Sequence, residues 1–536
     1  MNLSLLSLII LLPFLGALLV ALLPRNYRFV IRMVSVAFTA LTLIAAVFLF
    51  VQFNPKLDGF QFIQKIPWVP SLGISYHVGV DGINLGLILM GALVAFAAAC
   101  ISRDIKTREK EFYFLLLVMT GGILGAFASL DLFFFYFFHE LALVPTFIMI
   151  GVWGHGERKN YATFQITLYL SLGALIALVG LILLYLKGGA RTFDMVELAK
   201  NIQARPLSIA DQELIFPWLL FGFGILVSLW PFHSWAPLGY ASAPPATAML
   251  HAGVLKKFGL YGLLRVALPL MPQAAQYWMQ WLAVLALGNI LYNGWVAMRQ
   301  RDLNLLIGNS SVAHMGFCFL GIASLTLIGV TGCVMVMVAH GLLAALTFAL
   351  SGHIRQETGT LEINTLGGLL QRMPFAGALL VMAMMAGCGL PGFGNFAGEI
   401  LVLFGAWSGL SYIVVFAAWG ALIIGAVYML RAVRNVLHGP LPEAWNKVRD
   451  AGYTEPDMPS AMAMPLGLWR KLPYGLLLAA LLALGVYPPL LTKAIEPAAR
   501  QIVNRSNNEW TAKPVKKMEK TSLKTSGKKA RSQLEK

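Results

Sequence analysis

The chain has 536 residues, 58% hydrophobic and 12% charged, with a formal net charge of +16 and a mean hydropathy of +0.73. A soluble domain carries about 25% charged residues, so these numbers exclude a soluble globular protein and imply a polytopic membrane protein. The basic excess lies partly in a polar C-terminal stretch with no interleaved aromatics, so it implies no nucleic-acid binding; anionic lipid or an acidic partner suffices.

A membrane-spanning helix needs about 20 mostly apolar residues. Apolar runs between charged or Pro/Gly breaks predict an all-α protein with about fourteen transmembrane helices. The first four cover roughly 3–23, 29–51, 78–101 and 111–129. Span 3–23 lacks a basic flank before it and a small-residue cleavage site after it, so it reads as a retained span and not a signal peptide. The fifth, 132–152, opens on six consecutive aromatic residues and then places His139 and Glu140 in the apolar run; Asp131 before it reads as a cap. Span 162–186 follows. Span 214–235 is interrupted in "GILVSLWPFHSWAP", with Pro231, Pro237 and His233. Span 245–268 carries His251 and the pair Lys256-Lys257. Spans 277–298, 303–325 and 327–353 come next, the second with His314 and the third with His340; Asp302, beside Arg301, reads as half of a loop ion pair. Span 374–406 is broken in "AGCGLPGFGNFAGE" by Gly389, Pro391, Gly392 and Gly394, with Glu399 just after. Spans 411–433 and 472–492 complete the set, and the tail reads as disordered. The four cysteines form no CxxC pair and read as packing residues.

Alternate loops are rich in Arg and Lys: Arg25, Arg103, Arg158, Arg301, Arg355, Arg372 and Arg431 share one side. The positive-inside bias makes that side cytoplasmic and puts both termini opposite, although the basic tail pulls the other way. Pro231 and Pro391 stand 160 residues apart, which fits two bundles of five spans with a broken helix in each. The organisation expected is helices one to three in 1–110, a first half-channel in 111–268, a second in 277–433, a loop and last span in 434–492, and the tail in 493–536.

A charge at a helix centre costs roughly 2.5–3.5 kcal/mol on insertion scales. Glu140, Lys256, Lys257 and Glu399, with His251, His314 and His340 between them, therefore point to proton transfer across a membrane, with no bond made or broken on a substrate. No phosphate-binding glycine motif, cysteine cluster or haem motif is present.

The segments "FFFYFFHELALVPTFIMIGVWGH", "PFHSWAPLGYASAP", "HAGVLKKFGLYGLLR", "RDLNLLIGNSSVAHMGF" and "GLPGFGNFAGE" occur in order and at spacings that resemble the antiporter-like membrane subunits of respiratory complex I and of multisubunit cation/proton antiporters. Glu399, together with the ending "GVYPPLLTKAIEPAA", is most similar to the branch called subunit M of NADH–quinone oxidoreductase. The resemblance implies two inverted five-helix repeats and a proton path of two half-channels. Carried over by position, Glu140 is the acid of the first half and Lys257 the central lysine. His314 and His340 are relays, and Glu399 is the terminal acid. It further implies FMN, iron–sulfur clusters and quinone in partner subunits and none on this chain, L-like and N-like antiporter subunits as neighbours, and a bacterial inner membrane. Alternatives are a subunit of a Na⁺/H⁺ antiporter or membrane-bound hydrogenase, and a non-pumping scaffold.

The family pattern is broken at one place. Its usual lysine in the first broken helix falls on Leu226, and the polar residues that follow it read Leu238, Tyr240 and Ser242. Gln165 and Asn304 replace two further lysines. The second lysine of the 256–257 pair suggests a compensation. Neighbours on a helix point about 100° apart, so Lys256 is expected to turn toward Glu140 while Lys257 keeps the central role.

Overall fold

The computed structural model describes residues 4–189, 191–450 and 460–507. Twelve of the described helices are long and apolar enough to cross a membrane. Lipid offers no hydrogen bonds to a backbone, so long Leu-, Ala- and Phe-rich runs close their own bonds as helices. Two details raise the number of crossings to the expected fourteen. The helix over 245–270 escapes a simple count because two π turns, His251–Leu255 and Leu263–Ala267, interrupt it. Gly394–Leu437 has 44 residues, about 66 Å of helix against a hydrocarbon core of about 30 Å; a non-helical residue, Leu410, splits it into two crossings.

The loops sort onto two faces, as that count demands. On one face Trp153 donates to the Thr107 carbonyl, His155 N–H to that of Ser242, Ile363 N–H to that of Arg301, and Gly368 N–H to that of His438. These are the basic loops. The other face holds an antiparallel hairpin, Gln61–Val69 paired with Ile74–Val80, which the sequence reading missed and whose second strand replaces the start of span 78–101. The helices Met195–Ala204 and Pro489–Ser506 lie there too, the latter tied by Gln276 to the Ser506 carbonyl and by Asn507 to that of Leu325. The segment read as a disordered tail from 493 is thus helical to Ser506, because Leu491, Ile495, Ala499 and Ile502 are buried against the bundle. Residues 508–536 lie outside the described residues.

Lys65 of the hairpin pairs with Asp194 (2.6 Å) and Glu197 (2.7 Å), and His77 Nδ1 lies 2.8 Å from Asp194. Burial alone raises the Asp194 pKa. Hydrogen bonds from His77 and Lys65, and the charge on His77, outweigh it and hold the carboxyl well below the ordinary carboxylate range. A depressed folded-state pKa stabilises at every pH above the unfolded value of about 3.9, and the contribution is lost only as pH falls through the lower folded value. The Asp194 carboxylate of the clasp therefore stays ionised at any physiological pH.

Two sets of five crossings carry matching irregularities. In each set the second helix is N-capped by an aspartate that also bridges to the segment following the third: Asp131 with Asp194, Asp302 with Glu362. Asp302 accepts from Leu305 N–H, and no ion pair to Arg301 is found among the described residues, because the open helix end claims its carboxylate. In each set the fourth helix is broken, between Val227 and Trp235 and again between Gly387 and Gly394, and the fifth contains a π turn. Five is odd, so the two sets run in opposite directions and the repeats are inverted, as the resemblance implies.

Candidate proton-transfer site

Lys256 and Lys257 follow directly on the His251–Leu255 π turn, a geometry that recurs at functional sites because it frees backbone groups and re-aims side chains. Both are buried, at 1% and 0% exposure. Lys257 Nζ donates to the Ala252 carbonyl inside that turn at 2.6 Å and lies 2.9 Å from His340 Nδ1. Lys256 Nζ donates to Ser311 Oγ at 3.0 Å and sits over the Tyr240 ring, 5.4 Å from its centroid. Neither lysine meets Glu140. The expected Lys256–Glu140 pair is corrected: the Ser311 hydroxyl of the second repeat and the Tyr240 ring capture the Lys256 ammonium, and Lys257 reaches His340 of the second repeat.

From His340 the line continues. Its ring centre is 5.4 Å from that of His314. His314 Nδ1 lies 2.7 Å from the Ser310 carbonyl, which can only accept, so Nδ1 carries the hydrogen and Nε2 is the basic nitrogen. That Nε2 lies 3.6 Å from Glu399 Oε1. Tyr428 donates to Ser310 Oγ at 3.1 Å and steadies the same corner. A cavity of about 10 Å³, room for about one water, lies between His314, Glu399 and Tyr428. Lys257, His340, His314 and Glu399 thus form one buried line.

The two breaks differ. At the first, Ser228 takes a left-handed turn, and Asn289 answers the freed backbone: its Oδ1 accepts from Trp230 N–H at 2.6 Å, and its Nδ2 donates to the carbonyls of Ser228 (2.9 Å) and Val312 (3.1 Å). Pro231 therefore sits in a break closed by packing. His233 lies beside the ring of half-exposed Tyr292, and no described contact joins it to the lysines. At the second break, Gly389 (φ +71°) and Gly392 (φ +102°) are left-handed, and a Cβ on Gly389 would meet Glu399 Oε2 at 3.0 Å. The turn around Pro391 is thus open where the carboxylate rests on it.

Glu140 is placed differently from the rest. Its side chain is 33% exposed, on a helix whose outer face shows Phe137, Val144 and Ile148. His139 Nδ1, at 3.6 Å, and the Tyr136 hydroxyl, through a side-chain hydrogen bond, are the titratable groups in described contact with it. Leu226 is buried and apolar, so it offers nothing to the carboxylate. His251 lies between Trp235 and Tyr240, with Nδ1 unpaired. Sequence reasoning missed Ser311 and Asn289, and named Tyr240 only as a departure from the family pattern. Asn289 sits in an unremarkable apolar run, whereas Ser311 was visible in "GNSSVAH" as a hydroxyl three residues before His314.

The family model described as "NADH:quinone oxidoreductase/Mrp antiporter, TM" matches residues 129–425. The chain is 34% identical to NAD(P)H-quinone oxidoreductase chain 4 2 of Microcystis aeruginosa, over 92% of this chain and 91% of that one. It is 34% identical to NADH-quinone oxidoreductase subunit M of Rickettsia bellii, over 76% and 82%. In structure it resembles a chain of respiratory complex I from Thermus thermophilus with bound NADH, at TM-score 0.82 and 29% identity, covering 94% of this chain and 99% of that one. The matched stretch contains both breaks and every residue of the buried line, and the chain belongs to the NADH:quinone oxidoreductase/Mrp antiporter transmembrane family.

Proposed function

We propose that the chain is a proton-translocating, M-type membrane subunit of an NADH–quinone oxidoreductase. The observation that carries this reading is the line Lys257–His340–His314–Glu399, buried across two helix repeats and ending at an open helix break. Lys257 is the central group, His340 and His314 the relays, and Glu399 the terminal acid; His251 is a further polar stop on the way to Glu140. FMN, iron–sulfur clusters and quinone belong to partner subunits. Work is done by moving charge along the line, on a scale of about 2.3 kcal/mol per charge per 100 mV. The half-exposed edge of Glu140 suits a neighbouring antiporter-like subunit, L-like or N-like, better than lipid, where a carboxylate is costly. Loss of a lysine at Leu226 supports a second reading, in which the first half is silent and only the second half conducts.

The test is purification of the complex from its native membrane, with NADH:quinone turnover and proton uptake measured in vesicles for wild type and Glu399→Gln. Flavin and iron–sulfur partners, with uptake lost in the variant, are the expected result. Partners limited to other antiporter-like subunits would replace this reading with the antiporter one. Gly389→Ala is expected to act on the same carboxylate. A left-handed non-glycine residue costs about 1–2 kcal/mol, and its Cβ crowds Glu399; uptake should fall roughly tenfold.

A further inference from the structure

We propose that His139 is a proton-transfer residue, the group through which Glu140 exchanges protons with the interior of the bundle. The proposal rests on the functional reading above and assigns a residue that reading does not use. His139 is 2% exposed, yet its Nδ1 has no hydrogen-bond partner among the described residues. Neither has Glu140 Oε1, the atom 3.6 Å away. Two buried polar atoms that face each other unpaired would each cost roughly 1–3 kcal/mol if they never joined. An approach of well under 1 Å, or one bridging water, turns the gap into a hydrogen bond, and such contacts are commonly long at rest.

The ring is held for this task. His139 stacks on Phe258, centroids 3.9 Å apart and planes 22° apart, and Phe258 itself stacks on Phe135. Phe258 is the residue after Lys257, so the imidazole is fixed against the helix that carries His251, Lys256 and Lys257. That helix also carries the buried Tyr261 and Arg265 further along, and His139 and His251 lie close enough to interact electrostatically. The transfer balances simply. The protonated Glu140 carboxyl gives its proton to His139 Nδ1, leaving a carboxylate and an imidazolium. The imidazolium releases its other proton from Nε2 toward His251 and returns to neutral. Lysine is not needed at either step, which accounts for a chain that keeps Glu140 while carrying an apolar, buried Leu226.

The experiment uses the whole complex in vesicles, with His139→Phe, His139→Gln and Glu140→Gln. Phenylalanine keeps a flat ring on Phe258 and removes the nitrogens; glutamine keeps polarity and removes the acid–base function. Both are expected to slow proton uptake about hundredfold, the lower end for loss of a positioned acid–base group. The infrared band of the protonated Glu140 carboxyl, assigned by its loss in Glu140→Gln, should also shift in His139→Gln, which a packing role would not cause. If Glu140→Gln fails while both His139 variants work and the band stays in place, this proposal alone is overturned. Unimpaired uptake in Glu140→Gln would overturn the functional role of Glu140 and this proposal with it. Should His139→Phe lower the amount of assembled complex, His139→Gln and its band position decide.

Discussion

Lys257→Met is expected to abolish proton uptake while leaving the complex assembled. Methionine matches the lysine stem and adds no polar group. The change leaves the Ala252 carbonyl and His340 Nδ1 without their donor, at about 1–3 kcal/mol each, but it also removes the burden of a fully buried ammonium. The two effects offset in stability and do not offset in function. Lys257 joins the 245–270 helix to His340, and among the described residues no other donor bridges that step. Removal of such a group costs about 10²–10⁴ in rate. Lys256→Met should do less, because Ser311 sits to one side of the line and its hydroxyl can donate to a carbonyl in its own helix. Proton uptake and quinone turnover in vesicles, compared for the two variants, give the result. Equal losses would show that the pair works as a unit; wild-type uptake in Lys257→Met would remove the lysine from the path.

The second large effect is structural. Asn289→Ala strips the first helix break of its closure, orphaning the Trp230 N–H and the Ser228 carbonyl in the bundle interior. At about 1–3 kcal/mol each, the loss is roughly 2–6 kcal/mol, a large share of the 5–15 kcal/mol that holds a typical domain together. A lower melting temperature of the detergent-solubilised complex and less assembled chain are expected. Asn289→Asp is a sharper probe. It keeps the acceptor for Trp230 but loses both donors and buries a charge, so it should be at least as damaging as alanine. A melting curve unchanged in both would mean that water closes the break unaided.

The spans, the two breaks and the line of charges were legible because lipid enforces strong rules: helices must be long and apolar, and charges are rare enough to stand out. Glu399 and His314 were named from sequence and lie 3.6 Å apart. What failed was direction. Nothing in "HAGVLKKFG" announces a π turn, so counting 100° per residue aimed Lys256 at Glu140 when it faces Ser311. The hairpin over 61–80 was missed because it is short and amphipathic between long apolar runs. His139 was quoted beside Glu140 but given no role; neighbours on an ideal helix diverge by about 100°, so adjacency in sequence carries no signal of contact. Here the 3.6 Å contact arises from side-chain reach.

The π turn before the lysines has a consequence for comparing such chains residue by residue. A π turn is an α-helix with one supernumerary residue. A relative that lacks it would hold the same helix one residue shorter, and everything downstream would be rotated by about 100°. Aligning lysine with lysine across that gap would then equate side chains that face different neighbours. Deleting a single residue between His251 and Leu255 leaves every charge in the chain, yet it swings Lys256 and Lys257 away from Ser311 and His340. The address of the central lysine is written in chain length as much as in residue identity.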